Sequence, residues 1–345
     1  MNKKVNWGII GLGNAAMNFA KASQLTENAI LKGISSKNQK KIYNFKELFD
    51  VKSEYCFDNY EDLINCSEIE AIYIALPNSM HYDFIIKCIE AKKKFLVEKP
   101  ATKNFSEIKS LKKISNIKDF FYSEGFMYFH HPQILDVIQI LKKKEIGNLI
   151  SIKSKFGKNI LKKKNFLGIE TLKKQNNKNR LFNKNLGGGV ILDLGCYTTS
   201  FCVLVTSLYI DLDINEIKVK TKSKKVGTTG VEIDSCASIN FNNIIKAEVE
   251  ASFTRDIGSE SEIIGDKGRL LIRDTWQGSS SIILILDNKS KEIFNEAKKN
   301  CYYYQIKNIS NKILDKMSKT NQPIMDFEKS YINMNILEKW KNDEK

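Results

Sequence analysis

The first sixteen residues constrain the fold more than any other stretch of the chain. An apolar run, Val5–Ile10, leads directly into Gly11-Leu12-Gly13-Asn14-Ala15-Ala16, after which the pattern becomes helical. A strand that turns on glycines and reopens as a helix aims the helix amides at whatever lies over the turn. Gly11 permits the tight turn, Gly13 lets the backbone approach a pyrophosphate, and the small Ala16 lets the helix pack closely on a sheet. Gly11, Gly13, Asn14 and Ala15 are therefore candidate cofactor-binding residues, and a dinucleotide-binding unit is expected at the start of the chain.

Strand and helix signals keep alternating through the first third. Residues 15–23 and 40–49 read as helices and 30–34 as a second strand, while strands at 71–75 and 94–97 flank a helical stretch at 82–91. Such alternation implies parallel crossovers and a doubly wound sheet. From about residue 151 the texture changes to strand-like runs at 150–155, 237–241, 245–252, 261–264 and 270–272. Turn signals at Asn242-Asn243 and Asp266-Lys267-Gly268 separate several of them. The expected class is α/β: a Rossmann domain over residues 1–122, then an α+β domain over 123–345 with a large, mostly antiparallel sheet for substrate binding and oligomerisation. Residues 157–179 are polar and rich in Lys and Asn and read as a long loop with some helix; residues 325–342 read as a closing helix.

Composition narrows the function classes. At 345 residues, 42% hydrophobic and 28% charged, the chain can bury two cores and does not read as disordered. A net charge of +15 would suit nucleic acid, but the lysines come in small groups at 92–94, 142–144 and 162–164, mixed with Asn and Ile. They read as solvated faces whose field attracts an anionic cofactor or substrate, with no nucleic acid expected. No apolar run reads as reaching the roughly 18 residues a bilayer span needs, and Met1-Asn2-Lys3-Lys4 leads straight into a strand. The expectation is a cytoplasmic protein without a membrane partner. Seven scattered cysteines without a Cys-x-x-Cys pair read as reduced thiols, and three histidines offer little to a metal site.

Four further segments carry chemistry. Where an NAD site places an acidic residue, about 20 residues beyond the glycine turn, this chain has Ser35-Ser36-Lys37. Two hydroxyls and an ammonium suit the 2′-phosphate of NADP, which a carboxylate would repel, so NADP is preferred over NAD. After the strand at 71–75, Pro77, Asn78 and His81 are candidates to line the cofactor; as alternatives, Asn78 caps a helix and His81 is a surface residue of its first turn. Glu98-Lys99-Pro100 follows the strand at 94–97, and Asp193-Leu194-Gly195-Cys196-Tyr197 follows the glycines at 187–189. Together they offer an amine, a carboxylate and a phenol, groups that can take a hydroxyl proton as hydride moves to a nicotinamide. Free tyrosine, with a pKa of about 10, is a poor base at neutral pH, and a neighbouring Lys99 ammonium would favour the phenolate.

Taken in order, Gly11-Leu12-Gly13, Pro77-Asn78-Ser79-Met80-His81, Glu98-Lys99-Pro100, Glu124-Gly125-Phe126-Met127-Tyr128 and residues 187–197 resemble the Gfo/Idh/MocA oxidoreductases over nearly the whole chain. The Gly-Cys-Tyr ending resembles the dihydrodiol and D-xylose dehydrogenase branch. The resemblance implies hydride transfer between NADP or NAD and a sugar or cyclic polyol, free or nucleotide-linked. It implies Lys99 as the catalytic lysine before a proline bond that is often cis, Asp193 as a substrate-binding aspartate, and Tyr197 where other branches have histidine. Arg180 matches a family arginine ahead of the glycines, Lys37 an arginine used for NADP, and Glu98 belongs to the same cofactor-side motif. Catalysis is then expected of Lys99, Tyr197 and Asp193, and substrate binding of Lys99, Arg180, Asp193 and Tyr197, in a site between the two domains. A homodimer or homotetramer through the second-domain sheet is implied as well. Phe129 stands where the branch has arginine, and residues 157–179 are longer and more basic than usual. A catalytically silent, NADP-sensing regulator of the same fold is the alternative; retention of the proton-handling residues favours the enzyme.

Overall fold

The structure is a computed structural model and describes residues 3–114, 120–164, 168, 170–314 and 322–343. It divides into two compact units that are not contiguous in sequence. The first comprises Met1–Thr102, Ser106–His131 and Lys298–Phe327; the second comprises Lys103–Phe105, Pro132–Ala297 and Glu328–Lys345. Relative to a division at 122/123, residues 123–131 and 298–327 thus fall with the first unit.

The first unit holds a six-stranded, all-parallel sheet: β1 (Val5–Ile10), β2 (Ala29–Ser35), β3 (Cys56–Phe57), β4 (Ala71–Ile74), β5 (Lys94–Val97) and β6 (Tyr122–Glu124). Their spatial order is β3-β2-β1-β4-β5-β6, so the chain reverses its direction of travel across the sheet between β1 and β4. In doubly wound sheets ligands bind at this switch point, beyond the carboxyl ends of the strands. Helices α1 (Asn14–Ser23), α2 (Gln39–Phe49), α3 (Tyr60–Asn65), α4 (Asn78–Glu90) and α5 (Phe105–Leu111) follow in the chain, the last belonging largely to the first unit. Strand β4 is buried along its whole length, as a parallel strand covered on both faces must be.

The second unit is built on eight strands in the order β10-β11-β12-β7-β13-β14-β15-β16. These are β7 (Leu149–Gly157), β10 (Lys218–Val226), β11 (Glu232–Phe241), β12 (Ile245–Ser252), β13 (Ser261–Gly265), β14 (Gly268–Ile272), β15 (Ser281–Leu286) and β16 (Lys289–Phe294). All pairs are antiparallel except β12 with β7. Alternation explains the layering: Ala237, Ile239 and Phe241 of β11 and Ile245, Ala247, Val249 and Ala251 of β12 are buried, while Lys246 and Glu248 between them are exposed. Asn242, Asn243 and Ile244 join β11 to β12, with Phe241 paired to Ile245 and both asparagines at positive φ, 51° and 57°. Helix α6 (Pro132–Lys142) opens this unit, and α7 (Cys196–Thr206) is buried along its full length, covering β7 and β12.

Two expectations need correction. Residues 157–179 contain no helix among the described residues; they form a two-stranded hairpin, β8 (Lys162–Lys164) with β9 (Glu170–Leu172). Lys162 and Glu170 form a salt bridge at 2.6 Å across the hairpin, and Gly168 supplies a positive φ of 74° in its turn region. Second, one helical stretch, Lys184–Thr206, is long and apolar enough to cross a membrane by length and composition. It is the core of this unit, with 89% of its apolar window buried inside the protein. Asp193 and the glycines interrupt the run in the sequence, which conceals its length.

The C-terminal part is shared. Helix α8 (Cys301–Ile313) belongs to the first unit, where Trp7 Nε1 donates to Ser310 Oγ at 3.0 Å. Helix α9 (Phe327–Asn342) belongs, beyond its first residue, to the second unit. There the fully buried Trp340 donates from Nε1 to Ser235 Oγ at 2.9 Å and lies so close to Gly195 that a Cβ there would come within 2.8 Å of its ring.

Candidate active site

In the first unit the glycine turn is built for close approach. Gly11 has φ +89°, and a Cβ on it would meet the Ala75 carbonyl oxygen at 2.7 Å and the Leu76 side chain at 2.8 Å. Its amide donates to the Ser35 carbonyl at 3.0 Å, which ties the turn to the end of β2. Gly13 precedes α1 with no side-chain cap, and a Cβ placed on it would meet nothing within 4 Å. The α1 amides, with exposed Asn14 and half-buried Ala15 leading the helix, thus face a side where main chain and ligand can come together. These residues fit a dinucleotide pyrophosphate. Replacing Gly11 by alanine forces a β-carbon against a backbone carbonyl at positive φ; a loss of about 2 kcal/mol is expected, read as a lower urea midpoint and weaker NADPH fluorescence titration.

Ser35 and Ser36 differ more than their adjacency implies. Ser35 is fully buried opposite Ile10, whereas the Ser36 hydroxyl accepts from the Asn38 amide at 3.2 Å and keeps its own proton to donate. Lys37 is exposed, with Nζ 5.6 Å from the centroid of the Tyr60 ring, and the first turn of α2 contains no acidic residue. At the next strand end Pro77, not Asn78, is the residue that precedes α4; Asn78 is its buried first residue. His81 is wholly buried rather than on the surface, its ring nitrogens 2.9 Å from the carbonyl oxygens of Pro100 and Leu76. It holds the β4 turn and the β5 turn together from behind.

The Glu98-Lys99-Pro100 turn caps β5, and the Lys99–Pro100 peptide is cis. Tyr73 of β4 donates its hydroxyl to Glu98, and the Glu98 amide donates to Ile74 O at 3.0 Å. From the other side, the buried Glu124 accepts from the Ala101 amide at 2.8 Å, and a Cβ on Gly125 would press on Glu98 at 3.2 Å. Tyr302 of α8 completes the setting. Burial and the nearby Glu98 carboxylate push its hydroxyl well above its ordinary pKa, against a hydrogen bond with Asn18 and the pull of Lys99. A phenol so placed stays neutral and does not act as a base.

In the second unit the glycines at 187–189 allow a fold-back. A Cβ on Gly188 would strike the Arg180 carbonyl at 2.6 Å, and one on Gly189, at φ +111°, the Glu232 carboxylate at 2.5 Å. Amides of Gly188 and Gly189 donate to Asn183 and Leu181 carbonyls, both at 2.9 Å. The returning chain brings Arg180 to Asp193, with both terminal guanidinium nitrogens 3.4 Å from one carboxylate oxygen. Asp193 lies on a π-helical turn, Ile191–Gly195, that continues into α7, so Tyr197 follows one turn later. The Tyr197 ring packs edge-on against Phe156 at 5.4 Å and against Trp276 at 5.7 Å. Each unit thus assembles its own share: Lys99 and Glu98 with the glycine turn in one, Arg180, Asp193 and Tyr197 in the other.

Phe129, which stands where an arginine was expected, is buried in an aromatic group with Phe126 and Tyr128 and belongs to the core of the first unit. Tyr73, Tyr302 and Glu232 belong to no motif of the sequence, and Glu124 stands there only as the first residue of a motif that carries the resemblance. Tyr73 had a faint signal, a hydroxyl inside an otherwise apolar strand; Tyr302 had none, being about 200 residues from the turn it joins.

Comparison with known proteins agrees with this geometry. Residues 5–126 match the oxidoreductase family with an NAD-binding Rossmann fold, and residues 134–271 match the GFO/IDH/MocA C-terminal domain. The chain belongs to the Gfo/Idh/MocA oxidoreductases. Within this family it is 24% identical over 283 residues to trans-1,2-dihydrobenzene-1,2-diol dehydrogenase of Xenopus tropicalis, covering 80% of this chain and 78% of that one. It is 28% identical over 269 residues to glucose-6-phosphate 3-dehydrogenase of Bacillus subtilis (strain 168), covering 75% and 72%. A solved structure of a 3-ketoreductase from Actinomadura kijaniata in complex with NADP and TDP-benzene shares the fold, with a TM-score of 0.78 at 18% identity over 97% of this chain and 96% of that one. As a Gfo/Idh/MocA member the chain is an oxidoreductase whose Rossmann unit binds a nicotinamide dinucleotide.

Proposed function

We propose that the protein transfers hydride between a CH–OH group of a sugar or cyclic polyol and NADP, used in preference to NAD. Bound NADP supplies the hydride acceptor; the protein's own residues bind, orient and handle the proton. The observation that carries the reading is the placement of Asp193 and Tyr197 one helical turn apart, with Arg180 holding the aspartate. Groups three or four positions apart lie on one helix face, so a carboxylate and a phenol can address neighbouring hydroxyls of one substrate. In this reading Tyr197 takes the hydroxyl proton and the Lys99 ammonium favours its phenolate, while Asp193 accepts from a second hydroxyl and fixes the ring. The dehydrogenase and reductase relatives support the reaction class.

Preference for NADP rests on Ser36 and Lys37. Lys37→Ala is expected to raise KM for NADP about tenfold and leave KM for NAD unchanged, the size of one lost charge-assisted hydrogen bond; initial rates with both cofactors check it. The chain is further proposed to act in the cytoplasm, where its seven free thiols stay reduced. It is also proposed to self-associate through the open face of the second unit's sheet. Rows of opposite charge there, such as Lys155 with Glu260 at 3.0 Å and Arg269 with Glu262 at 3.0 Å, suit a two-fold copy of themselves. A screen of sugars, polyols and nucleotide sugars for NADPH-linked absorbance change tests the function. No turnover of any of them by protein that binds NADPH would favour the regulator instead.

A further inference from the structure

The positive charge of this chain is not spread evenly. Residues 158–184 hold nine basic residues and one acid, Glu170, a net +8 in 27 residues, whereas the other 318 residues carry +7. A general bias toward lysine would have brought acids with it, as it does elsewhere in the chain. Glu170 is taken by Lys162, and Arg180 reaches Asp193. Lys158, Lys163, Lys173, Lys174, Lys178 and Lys184 are exposed and have no carboxylate partner among the described residues.

The described residues at the start of this segment lie at one end of the second unit's sheet. Strands β7 and β12 run parallel and β11 opposes β12, so Gly157, Ser252 and Asp234 come together at that end. The Lys158 amide donates to Ser252 O and the Ile160 amide to Phe253 O, both at 3.0 Å, which pins the basic segment there. Glu232, the first residue of β11, packs beneath Gly189, four residues before Asp193. The substrate-side residues and the basic segment therefore share one edge of the fold. Between the segment and the β10–β11 turn is a hollow of about 550 Å³, lined by Asn159, Leu161, Gln175, Lys225, Thr228 and Arg255. Its one acid, Asp234, is already occupied: burial opposes its ionisation, but hydrogen bonds from Arg255 and Ser252 outweigh burial and hold the carboxyl below its ordinary range. Lys225 has no carboxylate partner among the described residues and remains to meet an anion.

We infer that the substrate is a phosphate or diphosphate ester of a sugar, its anionic group held by this basic segment and the hollow while the sugar hydroxyls reach Asp193 and Tyr197. The inference rests on the dehydrogenase reading above and names the substrate class for it. A free sugar gives such a field nothing to hold. A phosphate gains from several cations at once, each contact worth about tenfold in affinity when well placed and less when exposed.

The test is a set of initial rates for the full chain with NADP on D-glucose, D-xylose, glucose 6-phosphate and dTDP-glucose. The esters are expected to exceed the neutral sugars at least tenfold in kcat/KM, with an advantage that shrinks between 50 and 300 mM NaCl. In the triple variant Lys173→Gln, Lys174→Gln, Lys178→Gln the ester-to-neutral ratio is expected to fall at least tenfold. Preference for glucose 6-phosphate or for dTDP-glucose tells a monoester from a nucleotide diphosphate. Equal kcat/KM for neutral and charged substrates, or an unchanged ratio in the variant, overturns the inference while leaving the dehydrogenase intact. If no compound turns over, the dehydrogenase reading fails on its own, and calorimetry with inorganic pyrophosphate and with dTDP on NADPH-saturated protein decides the inference. Binding of either that the triple variant weakens supports it, and no binding of both overturns it.

Discussion

Lys99→Ala is expected to lower kcat by about 100- to 10,000-fold, the range lost when a positioned proton-transfer group is removed. Tyr197→Phe is expected to do the same without loss of fold, because the phenyl ring keeps its packing against Phe156 and Trp276. The two substitutions differ in their pH signature. If the Lys99 ammonium favours the Tyr197 phenolate as proposed, residual activity in Lys99→Ala should climb at alkaline pH, and in Tyr197→Phe that limb is gone. Stopped-flow measurement of NADPH formation across pH 6 to 10 distinguishes them. Full turnover in both variants would sink the proton-relay assignment.

Acid is expected to destabilise the protein through two buried histidines of the first unit. Burial lowers the His130 pKa to about 3, with Lys312 adding to the effect, and lowers His131 to about 4. Both His130 ring nitrogens lie buried without a hydrogen-bond partner among the described residues. In the unfolded chain these side chains titrate near about 6.5, so below that pH the unfolded state binds protons that the folded state refuses. Stability is therefore fully present above about pH 6.5 and falls as pH drops, by about 1.4 kcal/mol per pH unit for each histidine. Between pH 7 and pH 5 the pair contributes a loss of about 4 kcal/mol, large against a net stability of roughly 5–15 kcal/mol. Urea midpoints at the two pH values measure it. His130→Phe should halve the histidine share of the loss; the same loss in that variant would mean that His130 does not titrate as a buried neutral ring.

The sequence by itself determined whatever rests on local pattern. Val5–Ile10 followed by Gly11 and Gly13 specified a strand, turn and helix, because steric freedom at glycine and the amides at a helix start are properties of neighbouring residues. Strands of the first unit and the alternating strands of the second were legible for the same reason: a period of two, or a short fully apolar run, reports burial directly. Lys99, Asp193 and Tyr197 stood out through short motifs that carry a chemical logic of their own.

Tertiary structure alone decided which distant groups surround those residues. Tyr302 reaches the Glu98–Lys99 turn from a helix about 200 positions away, and α8 as a whole packs with the first unit although the chain has by then passed through the second. Glu232 sits under Gly189, Arg180 folds back to Asp193, and His81 is sealed between two carbonyls when its sequence position fitted an exposed first turn. The hairpin β8–β9 formed where lysine-rich composition read as loop and helix, because cross-strand pairing with residues six to ten positions away decides such a segment. Contacts of this kind depend on where the backbone travels between two points, and no local spacing encodes that path. For the same reason the charge of residues 158–184 read as one more solvated run in the sequence; the fold is what sets it beside Arg180 and Asp193 at a single edge of the sheet.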